Sequence, residues 1–221
     1  CFKVLAAYAP AIDSDLYSAG SFIRDEEYTV GDWSPRNWWT SGYRGYATVR
    51  DGIRDSMNIL AAKVIVNVGI YNAYQYLLNF GFTSLDAKED MNANISLGGL
   101  TEGVSVLELT AAYGTIANGG VNPVTKKEVF DASLSPKITA MIAAVGFYEH
   151  TGDWMYTSGI PAKTGVGGGV MGVLPGQFGI AAFAPPLDGS GNSVKAQLAI
   201  QYIMNKLELN VFSNNHITVV D

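Results

Sequence analysis

Two apolar runs, 168–174 and 177–184, flank a Pro175-Gly176 pair, and no other feature constrains this chain as strongly. Runs of that length bounded by turn residues read as the arms of a β-hairpin. Both arms are apolar, so the hairpin belongs in a sheet covered by helices. Helix signals stand on either side of it. Ser135-Pro136 places a cap and an N1 proline ahead of Ile138, Met141, Ile142 and Val145, an i, i+3, i+4, i+7 pattern. Residues 188–192 read as a loop, and Ser193 caps a last helix reaching about Leu207. Upstream, Ser105-x-x-Glu108 is a capping box opening a helix over 106–117, which Gly119-Gly120 ends.

The first half carries weaker punctuation. Thr48 followed by Asp51 caps a short helix, and 58–68 is apolar nearly all round, which predicts a buried helix. Residues 72–80 read as helical with Gly81 as the C′ residue. The stretch 3–10 reads as a helix end stopped by Pro10. Residues 11–47, with Trp33, Trp38, Trp39, Tyr43 and Tyr46 among turn formers, read as a long surface excursion whose aromatics pack the loop. Asp25-Glu26-Glu27 is expected as a solvated turn. The expected fold class is mixed α/β (α+β): one domain over 1–221, a helical block with a small antiparallel sheet.

Composition excludes several functions. At 48% hydrophobic and 15% charged, 221 residues can build a core and are not a disordered chain. A net charge of −6 speaks against nucleic-acid binding. A lone cysteine, Cys1, excludes an internal disulfide and a CxxC site, and two histidines, His150 and His216, are too few for a His-based zinc site. No metal or other cofactor is therefore expected. No apolar run approaches the ~18–20 residues of a membrane span. No signal peptide is visible, which leaves the compartment open.

Chemistry gathers in three strings. Lys163-Thr164-Gly165 stands just before the first hairpin arm, where an ammonium and a hydroxyl on an edge strand can hold a carboxylate while the strand pairs with a ligand. Ser56-Met57-Asn58 joins two helices and offers a hydroxyl and an amide to a cleft. Lys3 would complete a Ser-x-x-Lys only with a serine before residue 1, and no Ser-x-x-Lys occurs in the 221 residues. Cys1 reads as a frayed end rather than a substitute nucleophile. Each string also fits a plainer role: a loop for 163–165, a junction cap for Ser56, and core aromatics for Tyr148 and Tyr156.

The strings KVLAAYAP (3–10), YTVGDWSPRN (28–37) and SLGGLTEGVSVLELTAAYGTIANGG (96–120) resemble the transpeptidase domain of bifunctional penicillin-binding proteins. IPAKTGVGGG (160–169) and LDGSGNSV (187–194), with Gly152-Asp-Trp-Met-Tyr156, resemble serine-dependent bacterial glutaminases. Both families share the serine β-lactamase-like fold. The resemblances imply a composite chain, chimeric or designed, with a transpeptidase-like half over 1–120 and a glutaminase-like half over 121–221. They imply Lys3 as general base, Ser56 and Asn58 as a second motif, and Lys163, Thr164 and Gly165 as a third. The glutaminase likeness implies Tyr148 and Tyr156 as active-site phenols and the Val166 N–H as an oxyanion donor.

Three functions follow from these resemblances. The first expectation is a penicillin-binding D,D-transpeptidase-like acyl-serine enzyme with little turnover, because its serine is missing. The second is a glutaminase, and the third is a catalytically inactive scaffold. The implied ligand is a small-molecule or peptide amide or lactam. The implied compartment is periplasmic for a transpeptidase and cytoplasmic for a glutaminase. A short sheet also leaves an edge open to a second copy of the chain.

Overall fold

The structure, a computed structural model, describes residues 1–215, so His216 lies outside the described residues. It consists of two compact units, one formed by Phe2–Val104 and the other by Cys1 with the chain from Ser105 onward.

In the first unit a π-helical turn, Val4–Tyr8, runs straight into α1 (Ala9–Asp13). Pro10 therefore does not stop the helix. It sits in the first turn of α1, where the wider π turn takes up the missing N–H at the junction instead of in an α ladder. The stretch expected as loop holds an antiparallel ribbon, β1 (Phe22–Asp25) on β2 (Gly45–Thr48), with Arg24 opposite Tyr46. The cap expected at Thr48 opens α2 (Val49–Arg54), and the structure shows it as a full capping box with Asp51. Next come α3 (Asn58–Val68) and α4 (Ile70–Asn79), joined through Gly69 at φ 90°. Helix α3 is the core of this unit, touching the π turn, α1, α2, α4 and β1. Asp25 corrects the solvated-turn expectation: it is buried, and its carboxylate accepts from Asn37 Nδ2 and Arg44 N, both at 2.8 Å. Burial is tolerated because the charge has donors on both oxygens.

The second unit is built on a three-stranded antiparallel sheet. β3 (Ala162–Gly165) and β5 (Phe178–Phe183) flank β4 (Gly169–Leu174), and every residue of β4 is buried. The register pairs Lys163 with Met171, Thr164 with Val170, and Val170 with Ala182. Side chains alternate between faces along a strand. Ala162, Val170, Leu174 and Ala182 thus pack with Trp154, Ala196 and Ile200 of α7 (Thr151–Ser158) and α8 (Val194–Leu207). On the opposite face α5 (Val106–Ala117) crosses β5 so closely that a Cβ at Gly179 would lie 2.3 Å from Gly114 N. Helix α6 (Leu134–Val145) begins two residues earlier than its proline suggested. Asp131 Oδ1 accepts from Ser133 N at 2.9 Å, and this starts the turn ahead of Ser135. The helices and small antiparallel sheets make the mixed α/β class expected from the sequence. Among the described residues no helix is long and apolar enough to cross a membrane.

Candidate active site

In the first unit, the α2–α3 junction puts Ser56 in left-handed backbone at φ 51°, a conformation costing about 1–3 kcal/mol for a non-glycine residue. Its hydroxyl accepts from Lys3 Nζ at 2.9 Å. The two residues lie 53 positions apart in sequence, so this pair is a product of folding. An amine and a hydroxyl in direct contact can pass a proton. Asn58 is used differently. Its Nδ2 donates to Arg36 O at 2.7 Å, so its amide braces the preceding loop.

In the second unit, Lys163 is buried on β3. Its ammonium donates to Thr164 O at 3.0 Å and Gly146 O at 3.3 Å, and lies 4.6 Å from the centre of the Tyr148 ring. Burial pulls this ammonium down to about 7, so the amine can gain or lose a proton near neutrality. Tyr148 stands at φ 54°, a second left-handed non-glycine residue among those expected at the site. Phe147 beside it is stacked on Trp154 at 4.2 Å. Just past the end of β3 the chain opens to water, and Val166 is 70% exposed.

Strand alternation separates two residues that the sequence seemed to join. Lys163 and Thr164 point to opposite faces, and the Thr164 hydroxyl is buried on the α7/α8 side with no hydrogen-bond partner. The expectation that both hold one carboxylate is thereby corrected. Gly165 is the last residue of β3, and a Cβ there would lie 3.0 Å from Cys1 Sγ. Cys1 is not frayed: its Sγ lies 3.2 Å from Lys163 O, and Tyr113 OH donates to its carbonyl at 3.0 Å. Tyr156 is 92% exposed on α7, which corrects its reading as a core aromatic and leaves its phenol in bulk water. A cavity of about 730 Å³ lies at the Pro175-Gly176 end of the hairpin, and no expected site residue lines it.

Sequence reading missed Gly146, whose carbonyl anchors Lys163. Its one signal is a glycine directly after an apolar helix, and its role comes from close approach. A Cβ at Gly146 would lie 1.6 Å from Ala162 O.

The glutaminase family profile matches residues 62–212, more than half of the chain. The chain belongs to the glutaminase family. It is 89% identical over 119 residues to a glutaminase of Bacteroides thetaiotaomicron, a match covering 54% of this chain and 37% of that relative. The chain thus spans less than half the length of that curated relative. The solved structure of the probable glutaminase YbaS is 36% identical, with a TM-score of 0.53, over 71% of this chain and 46% of that one. The native form of Mglu covers 96% of this chain and 59% of its own, with a TM-score of 0.67 and 19% identity, which is a likeness of fold. These findings overturn the first functional expectation, a penicillin-binding transpeptidase. The glutaminase match begins at residue 62, well inside the stretch read as transpeptidase-like, and its bounds, 62–212, take in 117–120.

Proposed function

We propose that this glutaminase-family chain takes part in hydrolysis of the side-chain amide of L-glutamine by acyl transfer. The observation that carries the reading is Lys163, a buried amine able to titrate near neutrality, held against the Tyr148 ring at the edge of an open strand. In this chemistry a hydroxyl attacks the amide carbon and gives up its proton to a base. Backbone N–H groups hold the oxyanion, and the proposed donor here is Val166 N. The amide nitrogen leaves as ammonia after taking a proton, and water then cleaves the glutamyl ester to glutamate. Tyr148 and Lys163 are the proposed proton-handling pair of the second unit, and Lys3 with Ser56 that of the first.

Glutamine binding is the primary signal by which this reading is tested. The transpeptidase-like strings before residue 62 are read as features of one shared fold, not as a second activity. A second copy of the chain is the proposed partner of the open β5 edge.

The test is calorimetric titration with L-glutamine and L-asparagine, alongside ammonia release. Glutamine should give a binding signal that Lys163→Met reduces at least tenfold. An equal response in wild type and variant, or no preference for glutamine, would overturn the reading.

A further inference from the structure

Two turns of the second unit carry groups proposed to face the amide. The turn after α6 carries Tyr148, and the turn after β3 carries the Val166 N–H. At their base the two are joined through Gly146, whose carbonyl accepts from Lys163 Nζ and Thr164 N. Beyond that base the Val166 turn has little stiffness of its own. Its neighbours Gly165, Gly167 and Gly168 are all glycines, which leave the backbone free. A ligand held between a phenol and an oxyanion donor needs their separation fixed.

One loop, 184–193 between β5 and α8, reaches both turns. On the Tyr148 side, Ser190 Oγ donates to Glu149 Oε1 at 2.6 Å and accepts from His150 Nε2 at 3.0 Å. An imidazole with its proton on Nε2 makes the second bond whether neutral or charged, so neither link depends on the charge of His150. On the Val166 side, Gly191 stands at φ 86°, and a Cβ there would lie 3.3 Å from Val166 Cγ1. Ala184 N also donates to Gly168 O at 2.9 Å, at the far end of the same turn.

Asp188 stiffens the loop between these contacts. Its Oδ1 accepts from Ser190 N at 3.0 Å and Asn192 N at 2.9 Å, and its carbonyl accepts from Gly191 N at 3.1 Å. Its Oδ2 accepts from Gln197 Nε2 at 3.2 Å, which ties the loop to α8. The loop is thus a braced strut with one end on the Tyr148 turn and the other on the Val166 turn.

We propose that Asp188 and Ser190 are positioning residues that set the distance between Tyr148 and the Val166 N–H, and with it the length of amide side chain the site accepts. They act through the loop and not on the reacting atoms. The proposal rests on the glutamine reading of Tyr148 and Val166, and its test separates the two.

The test measures calorimetric affinities for L-asparagine, L-glutamine and L-homoglutamine, which differ by one methylene each. It also follows the Val166 N–H in nitrogen-15 valine-labelled protein, with the signal identified by its loss in Val166→Ile. The wild type should prefer glutamine over its two neighbours by about tenfold, the ordinary worth of one methylene in a fitted site. Ser190→Ala and Asp188→Ala should bring that preference below about threefold, because it comes from the fit alone, and should move the Val166 signal. Ser190→Thr keeps the hydroxyl and Asp188→Asn keeps an acceptor oxygen, so both should retain the preference. If the alanine variants weaken all three amides by one common factor, the loop serves stability only and the proposal is overturned. A Val166 signal unmoved by Ser190→Ala, or a preference lost as fully in Ser190→Thr, also overturns it. A wild type that binds none of the three amides removes the glutamine reading, and the Val166 signal then decides by itself whether Asp188 and Ser190 position that turn.

Discussion

The carbonyl of Gly146 accepts from the Lys163 ammonium at 3.3 Å, and the same oxygen accepts from Thr164 N at 3.1 Å. This pairing docks the end of α6 onto β3 with no room for a side chain. A methyl group at Gly146 would lie 1.6 Å from Ala162 O, so Gly146→Ala must push helix and strand apart. The expected cost is about 3 kcal/mol, at the upper end of ordinary overpacking penalties, measured by urea denaturation. The displaced ammonium should also become wetter, with its titration moving back up toward that of an ordinary lysine.

Lys163 gives a pH dependence of stability with a defined sign. Burial lowers its folded value to about 7, while the unfolded chain keeps the ordinary value of roughly 10.4. Between those limits the unfolded state binds more protons, so stability should rise with pH across that window. Below it both states are protonated and the penalty of the buried charge is constant. Lys163→Met should abolish the rise and be more stable than the wild type at pH 7. Denaturant midpoints from pH 6 to 10 check both statements.

Trp154 supports the Tyr148 turn from beneath. It is buried, stacks on Phe147 at 4.2 Å, and donates Nε1–H to Ile160 O at 2.8 Å. Trp154→Ala should cost about 3–5 kcal/mol. Trp154→Phe keeps the stack but leaves the Ile160 carbonyl without its donor, and should cost about 1–3 kcal/mol. Thermal melts of the two variants separate packing from hydrogen bonding.

At the start of α2, burial pushes the Asp51 carboxyl up, but the Thr48 hydroxyl and N–H together with Arg54 pull it below the usual carboxylate range. A lowered folded value means stability that is present above the unfolded value and lost as pH falls through the folded one. Thr48→Ala should cost about 1 kcal/mol at neutral pH and weaken that acid-side loss. Urea titrations at pH 7 and pH 3 measure the difference.

Strand β5, FGIAAF, carries neither charge nor proline, and Phe183 at its end is 58% exposed. Nothing in its sequence blunts a sheet edge. Size-exclusion chromatography should show concentration-dependent self-association that Phe183→Lys reduces. A strict monomer at high concentration would exclude pairing through this edge.

Local chemistry was enough to predict the elements with strong punctuation. The cap at Thr48, the capping box at Ser105, the apolar α3, the hairpin around Pro175-Gly176 and the Ser193 cap were all legible, because caps, turns and periodicity act over a few residues. The ribbon Phe22–Asp25 with Gly45–Thr48 was not legible, because its strands are four residues each and pair across the whole of 26–44. At the site, the residue types of Lys163, Tyr148 and Ser56 could be read as chemically able, but their surroundings could not. The Lys3–Ser56 contact, the Gly146 carbonyl beneath Lys163, the burial that lowers its ammonium and the Ser190 link to Glu149 all join residues far apart in sequence. Even the Lys163-Thr164 pair, adjacent in the chain, was split between two faces by the pleat and its register with Met171 and Val170. Which side of a strand is buried, and against what, is a property of the packed sheet, so only the tertiary structure decided it.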